Sequence, residues 1–184
     1  VSNTFYYNTR SLEIDKAKSD VDVAAWFVYL NKTAFNGLYR VNKKNQFNAP
    51  IGRYKNPAIC DAENLRACSL ALENVEILHG YFDHMRRKAT TGDFIYFDPP
   101  YVPVSVTSSF TAYTDKGFGS LEQRMLRDLA WDFKTRGIHV MLSNADTEYV
   151  QNLYAGFNVR SIRVGRAINC KAGSRGAVGE VIVS

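Results

Sequence analysis

The residues of this sequence with the clearest chemical potential follow directly on an apolar stretch. Residues 93–97 have the composition of a buried strand, and Asp98, Pro99, Pro100 and Tyr101 come next. Ligands of open α/β sheets bind beyond the carboxyl ends of the strands, so the pattern predicts that Asp98 and Tyr101 face a substrate. The alternative is an acidic turn that ends the strand, with the tyrosine packed at its rim.

The four residues after the strand form a corner that is rich in hydrogen-bond acceptors. Proline has no N–H, so Pro99 and Pro100 add carbonyl oxygens without a competing donor and hold them at a fixed φ. A planar amine with two N–H groups, such as N6 of adenine, can donate one to the Asp98 carboxylate and the other to the Pro99 carbonyl. Tyr101 offers a flat face to the base, and stacking of this kind contributes about 1–3 kcal/mol per base.

A second segment, residues 34–56, has the composition of a nucleic-acid-binding surface. Aromatic, basic and amide side chains are interleaved in it on a frame typical of a loop. In such surfaces cations contact phosphates, an arginine can read a guanine edge and an asparagine can read adenine. Composition alone, however, favours a solvated polar hairpin.

Three motifs in this order resemble one enzyme family: Phe-Asn-Gly-Leu-Tyr-Arg-Val-Asn at 35–42, Phe-Asn-Ala-Pro-Ile-Gly-Arg-Tyr-Lys at 47–55, and Asp-Pro-Pro-Tyr at 98–101. The sequence resembles the Dam-type DNA adenine-N6 methyltransferases from about residue 20 to its end, and most of all the Dpn-like members that methylate GATC. This resemblance implies transfer of a methyl group from S-adenosyl-L-methionine to N6 of adenine in duplex DNA, within GATC.

The resemblance also implies roles for individual residues. The catalytic motif is Asp98 with Pro99, Pro100 and Tyr101. The cofactor would meet Asp98 and the turn that holds Tyr81 and Phe82, although Dpn-like members tend to carry an acid where this chain has Tyr81. Arg40 would contact guanine, and the full set of expected DNA contacts is Phe35, Asn36, Leu38, Arg40, Asn42, Pro50, Arg53, Tyr54, Lys55, Phe110 and Tyr113. Of these, Phe110 and Tyr113 belong to a long loop, residues 102–119, that we expect to act as a lid over a flipped base.

The pattern along the chain predicts alternating helices and strands. We expect a helix from Val21 onward, with Asp20 as its N-cap and burial on nearly all sides, and a helix from Asp61 to Leu72. A short strand over 75–78 is expected next. A capping box of Ser120 and Gln123 would open a helix that stops at Gly137. Beyond it we expect a strand over 138–142, a helix over 146–154 and an antiparallel pair of strands over 157–164 and 178–183.

These elements favour an α/β fold, namely the Rossmann-like fold of S-adenosylmethionine-dependent methyltransferases, with a mixed sheet and an antiparallel C-terminal hairpin. We interpret residues 1–184 as the C-terminal part of a single methyltransferase domain, and residues 21–58 as an inserted target-recognition hairpin subdomain. The Gly-rich turn and the acid that hold the cofactor's methionine and ribose in the family have no counterpart in residues 1–92. We therefore expect a piece of a longer polypeptide or a truncated form, which alone neither binds the cofactor nor methylates DNA.

Composition agrees with a polyanionic partner. The 23 basic and 18 acidic side chains leave a formal charge of +5, and the sequence pI is about 9.1. Cationic residues at 163, 166, 171 and 175 form either a solvated rim or a phosphate-binding edge. The three cysteines predict reduced, mostly packed thiols, and the scattered histidines predict no metal site.

We expect no membrane span, a location in the cytoplasm of a bacterium or of a phage-infected cell, duplex DNA as partner, and a cognate restriction endonuclease as a candidate second partner. Two other functions stay open. The chain could be a DNA-binding fragment without methyl transfer, or could methylate a protein glutamine or RNA, although those relatives more often begin the motif with Asn.

Overall fold

The computed structural model describes residues 2–14, 19–104, 118–165 and 177–184. The chain divides into two compact units, Val1–Ile77 and Leu78–Ser184.

In the first unit the described residues form three α-helices: α1 (Asn3–Arg10), α2 (Asp20–Thr33) and α3 (Ala62–Ala71). Helix α1 was not expected from the sequence. Helix α2 begins one residue earlier than predicted, because Ser19 and not Asp20 is its N-cap. The Ser19 hydroxyl accepts a hydrogen bond from the Asp22 N–H (3.2 Å), and the Asp22 carboxylate accepts one from the Ser19 N–H (3.2 Å).

The predicted burial of α2 on nearly all sides is wrong. Only Leu30 and Thr33 of this helix are buried, and Val21 is 77% exposed. The core of the first unit is small, and its buried apolar members are Tyr6, Leu30, Ala34, Phe47 and Ala49. A core of this size covers one stripe of α2 and leaves the rest of its apolar surface exposed.

Helix α3 is confirmed with Asp61 as its N-cap, since the Asp61 carboxylate accepts from the Asn64 N–H (3.1 Å). The strand predicted over 75–78 is absent from the described structure, and its apolar side chains are exposed. A strand needs a neighbouring backbone to complete its hydrogen bonds, and no strand of the described chain pairs with this segment. The prediction of packed thiols is also wrong for Cys60 and Cys68, which are exposed.

The second unit adds helices α4 (Met85–Lys88), α5 (Ser120–Thr135) and α6 (Glu148–Leu153) to a four-stranded sheet. Its strands are β1 (Phe94–Phe97), β2 (His139–Ala145), β3 (Val159–Gly165) and β4 (Ala177–Val183), in the order β1-β2-β4-β3. Strand β1 pairs parallel with β2, whereas β4 runs antiparallel to both β2 and β3. The predicted mixed sheet with its antiparallel C-terminal pair is therefore confirmed.

The ends of α5 show one wrong prediction and one confirmed one. The helix is capped by Glu122, whose carboxylate accepts from the Gly119 N–H (2.7 Å), and not by a Ser120–Gln123 box. It stops as expected at Gly137, whose φ of +73° suits glycine. The Gly137 N–H donates to the Lys134 carbonyl (3.2 Å) and the Ile138 N–H to the Phe133 carbonyl (2.9 Å), which is a Schellman motif.

Strand β1 has one buried and one exposed face. Ile95 and Phe97 lie in the core with the apolar side of α5, and Phe97 stacks on Phe133 with 6.3 Å between ring centroids. Phe94 is 62% exposed, and Tyr96 on the same face is exposed as well. The core side chains thus fix which face of β1 points away from α5.

No helix within the described ranges is long and apolar enough to cross a membrane. Among the same residues, no group of three or more His, Cys, Asp or Glu side chains is arranged to hold a metal ion.

Truncation of Phe133 tests this core. Phe133 is fully buried, so Phe133→Ala should lower the free energy of unfolding by about 3–5 kcal/mol through lost burial and a residual cavity. Leu121→Ala is the matched control, because Leu121 lies on the same helix and is exposed, and surface changes of this kind stay within about 0.5 kcal/mol. Chemical denaturation followed by circular dichroism measures both, and equal effects would contradict the described packing.

Candidate active site

The pairing of β1 with β2 brings Asp98 next to Ser143. Phe97 is opposite Leu142 in the parallel register, so the residues that follow them, Asp98 and Ser143, are neighbours as well. The Ser143 hydroxyl donates to Asp98 Oδ1 (2.9 Å) and accepts from the Tyr96 hydroxyl (2.9 Å). A chain of hydrogen bonds therefore runs from Tyr96 through Ser143 to the carboxylate.

This chain occupies one oxygen of the carboxylate. Asp98 is exposed, and its Oδ2 accepts no hydrogen bond from the part of the chain that the structure describes. An ionised carboxylate can accept at both oxygens. Asp98 thus presents an oriented acceptor at the carboxyl end of β1.

Tyr101 is half-buried and anchored through its hydroxyl, which donates to Glu180 Oε2 (3.2 Å) on β4. Burial is the main cause that raises the pKa of Tyr101. The nearby Ser143 hydroxyl opposes the rise of this pKa, and the negative charge of Glu180 adds to it. The hydroxyl therefore stays protonated over a wider alkaline range than a free tyrosine.

Two buried side-chain amides contact the main chain on either side of Tyr101. Gln123 Nε2 donates to the Pro100 carbonyl (2.9 Å), and the Val102 N–H donates to Asn144 Oδ1 (3.0 Å). Asn144 Nδ2 in turn donates to Gln123 Oε1 (3.1 Å). One connected set of bonds thus joins the first turn of α5, the end of β2 and the turn after β1.

An aromatic pair lies in the same unit. The rings of Tyr81 and Phe82 have centroids 4.5 Å apart, and Phe82 also contacts Phe118 at 5.6 Å. Phe82 packs against the core, whereas Tyr81 is exposed. The two rings are tilted by 36°, so the exposed Tyr81 ring is the face on which a purine can stack.

The expected recognition segment in the first unit forms a loop closed by two isolated β-bridges, Ala34↔Ile51 and Val41↔Phe47. The Asn42 side chain organises the turn at its tip, because its Oδ1 accepts from the N–H groups of Lys44 (2.9 Å) and Gln46 (3.0 Å).

Arg40 lies on this loop with its guanidinium held in place. Its Nε donates to Asn48 Oδ1 (2.7 Å) and its Nη2 to the Asn48 carbonyl (3.0 Å). Three of the five guanidinium N–H groups are not used by these two bonds. Arg40 is exposed, and so are the other expected DNA contacts of this loop: Phe35, Asn36, Leu38, Asn42, Pro50, Arg53, Tyr54 and Lys55.

Phe110 and Tyr113, the expected lid residues, lie outside the described residues, as do Cys170 and the cations at 166, 171 and 175. Arg163 is described and exposed. The assignments of the lid and of a phosphate-binding edge stay predictions.

Sequence reasoning missed the contacts of Glu180 and Gln123. A signal existed for Glu180, which is the only acid in an otherwise apolar strand segment, 178–183. Gln123 was interpreted as part of a helix cap, although a buried amide in a first helical turn indicates a partner elsewhere. Ser143 and Asn144 directly follow the strand predicted over 138–142, but no sequence pattern indicated their partners.

Comparison with known proteins agrees with these features. Residues 1–168 match the family model of D12 class N6 adenine-specific DNA methyltransferases. The type II methyltransferase M1.LlaDCHI of Lactococcus lactis subsp. cremoris is 44% identical over 189 residues, covering 100% of this chain and 66% of that protein. The type II methyltransferase M.MjaIII of Methanocaldococcus jannaschii is 45% identical over 175 residues, covering 93% of this chain and 60% of that protein.

The DNA adenine methylase of Escherichia coli K12 is 35% identical over 177 residues, covering 96% of this chain and 63% of that protein. The chain therefore spans 60–66% of the length of these three relatives.

The contact between Tyr101 and Glu180 can be tested by titration. Glu180→Gln removes a negative charge that raises the pKa of the Tyr101 hydroxyl, so this pKa should fall towards the ordinary tyrosine value. The raised pKa stabilises the folded protein below about pH 10, and this contribution is lost as the pH rises through the higher folded value. NMR of ring-labelled tyrosine, with Tyr101→Phe to assign the signal, measures the shift.

Glu148→Gln removes an exposed acid of α6 and serves as the control, which should leave the Tyr101 titration unchanged. A pKa of Tyr101 that does not respond to Glu180→Gln would contradict the described contact.

Proposed function

The chain belongs to the D12 class of N6 adenine-specific DNA methyltransferases, and we propose that it transfers a methyl group from S-adenosyl-L-methionine to N6 of adenine in duplex DNA. The observation that carries this proposal is the Asp98 carboxylate, exposed at the carboxyl end of β1 and oriented by the Ser143 hydroxyl at 2.9 Å. The likeness of residues 35–42 and 47–55 to Dpn-like members supports GATC as the target.

Asp98 acts as a hydrogen-bond acceptor for the amine. In the proposed complex an N6–H group donates to Asp98 Oδ2, since Oδ1 already accepts from Ser143. The second N–H group donates to the Pro99 carbonyl. These two bonds draw the N6 lone pair out of conjugation with the ring, which makes the nitrogen more nucleophilic. Full removal of the proton before transfer is excluded, because a carboxylate is far too weak a base for an arylamine.

The adenine has to leave the duplex to reach this site, at a cost of a few kcal/mol. Tyr101 offsets part of that cost by stacking on the base, which contributes about 1–3 kcal/mol. Its ring is held through the hydroxyl by Glu180, so little freedom is lost when the base arrives.

The cofactor fits residues of the second unit. Tyr81 and Phe82 supply an aromatic surface for the purine, and the Asp98 carboxylate supplies a negative charge suited to a cationic ligand. When bound, S-adenosyl-L-methionine supplies the methyl group as an electrophile.

DNA recognition is proposed for the loop of the first unit. Arg40 is exposed and keeps N–H groups for a guanine edge while Asn48 fixes its orientation. Phe35 and Asn36 are proposed to enter the base stack, and Tyr54 and Lys55 to hold phosphate. We propose the cytoplasm as the location of the reaction. A cognate restriction endonuclease of the same system is a further proposed partner.

Substitution of the central acid tests the mechanism. In the complete protein, Asp98→Ala should lower the methylation rate more than tenfold, a loss above about 1.4 kcal/mol, while the affinity for duplex DNA changes little. Asp93→Asn is the control, because Asp93 stands at the other end of β1 and its carboxylate accepts from Thr90 in the turn before the strand. Transfer of labelled methyl groups to a GATC duplex measures the rate, and a smaller loss for Asp98→Ala would remove Asp98 from the mechanism.

Recognition of the DNA sequence can be tested separately, by measuring binding to duplexes. Arg40→Ala should cost about 1–3 kcal/mol on the cognate duplex and abolish discrimination at one guanine. Lys55→Ala should weaken binding to all duplexes alike and reduce the salt slope by about one unit. Fluorescence anisotropy with GATC and scrambled duplexes gives both values. Equal losses on the two duplexes for Arg40→Ala would contradict the assignment.

A further inference from the structure

We propose that Gln123 and Asn144 are positioning residues of this enzyme: their side-chain amides form one hydrogen-bonded pair that fixes the main chain on both sides of Tyr101 and so places its ring. We call this pair the amide clamp. The proposal rests on the proposed function, because the ring that it places is the one assigned to the target base.

The amide clamp is buried, and each of its side-chain nitrogen and oxygen atoms makes at least one hydrogen bond. Gln123 is 2% exposed and Asn144 is 0% exposed. The Nε2 group of Gln123 donates to the Pro100 carbonyl, and Oδ1 of Asn144 accepts from the Val102 N–H. The remaining amide atoms bond to each other, because Asn144 Nδ2 donates to Gln123 Oε1 at 3.1 Å. Since Pro100 and Val102 flank Tyr101 in the chain, the clamp holds both peptide groups beside that residue.

Main-chain chemistry fixes the direction of every bond in the clamp. The Pro100 carbonyl can only accept, so Gln123 turns its NH₂ group towards it, and its oxygen then faces Asn144. The Val102 N–H can only donate, so Asn144 turns its oxygen there, and its NH₂ group is left for Gln123. Asn144 Oδ1 also accepts from the Ala145 N–H at 2.9 Å. Flipping either amide would place two like groups against each other.

This directionality explains why two amides are used. A carboxylate at either position would put an oxygen where a donor is needed. Two apolar side chains would leave the Pro100 carbonyl and the Val102 N–H without these partners, and a buried polar group that loses its partner destabilises the structure. The pair therefore suits the task of holding one short segment of main chain in a single position.

Tyr101 is then fixed at both ends. The amide clamp holds its backbone, and Glu180 holds its hydroxyl from β4. A misplacement of about 1 Å near a reacting centre can cost about a hundredfold in rate. Loss of the clamp should therefore lower kcat, whereas the affinity for DNA, which is assigned mainly to residues 34–56, should persist.

The first test replaces each amide by an apolar side chain of similar size in the complete protein. Gln123→Met and Asn144→Leu should each lower kcat at least tenfold, with KM for a GATC duplex within threefold of the parent. The control is Gln151→Met, which also removes an amide of the second unit, one bonded to Asp146 (2.9 Å) and Ser161 (3.3 Å), and should keep the parent kcat. A loss below tenfold in the clamp variants, or the same loss in Gln151→Met, overturns the proposal.

A double variant tests whether the two amides act as one unit. The double variant of Gln123→Met and Asn144→Leu should have the same kcat as the single variant with the lower kcat. The reason is that loss of either amide's bond to the main chain already releases the segment around Tyr101. Losses that multiply would show two independent roles and would overturn the clamp. If Asn144→Leu does not fold, the test uses Gln123→Met and Gln123→Asn, of which the second shortens the side chain by one methylene. The kcat and the thermal unfolding midpoint of each variant are then compared with those of the parent.

A measurement without substrate separates this proposal from the proposed function. In Asn144→Leu the exchange of the Val102 amide hydrogen should accelerate at least tenfold, while that of Val181 in β4 stays as in the parent. Unchanged exchange at Val102 overturns the clamp whatever the enzyme does. A parent protein that does not methylate adenine overturns the proposed function, and a methylating parent whose clamp variants keep kcat overturns the positioning role alone.

Discussion

The parallel pairing of β1 with β2 is the interaction on which the rest of the site depends. Its register sets Phe97 opposite Leu142, and Asp98 therefore comes to lie beside Ser143. A shift by one residue would turn every side chain of β1 to the other face. Ile95 and Phe97 would then leave the core, so the burial of two apolar side chains holds the carboxylate in place.

Three consecutive residues of β2 extend this constraint. Leu142 is part of the core, Ser143 bonds to Asp98, and Asn144 bonds to Val102 and Gln123. Side chains of neighbouring residues in a strand point to opposite faces, so β2 can contact the Asp98 carboxylate through one residue and the turn after β1 through the next. Strand β4 joins on the far side of β2 and brings Glu180 to Tyr101, across 79 residues of chain.

Local patterns in the sequence predicted the elements that depend on local physics. The strand ending at Asp98, the stop of α5 at Gly137 and the antiparallel pair β3–β4 follow from periodicity, backbone conformation and short connections. Predictions failed where neighbouring residues compete or where the partner is distant. Ser19 and Asp20 can both cap a helix, and residues 75–78 have the composition of a strand but pair with no strand among the described residues. Gln123 bonds to a carbonyl 23 residues away, which no local pattern encodes.

The two faces of β1 have different roles, because one packs in the core and the other leads to Asp98. Ile95 and Phe97 lie on the face that joins the core, whereas Phe94, Tyr96 and Asp98 follow the opposite alternation. Tyr96 links the two roles, because its ring is exposed while its hydroxyl donates to the serine that orients Asp98. The carboxylate is thus held by a side chain of its own strand, acting through the neighbouring one. In the proposed reaction, an acceptor fixed in this way needs no rearrangement when an amine approaches, and preorganised polar groups of this kind are among the largest contributions to enzyme catalysis in general.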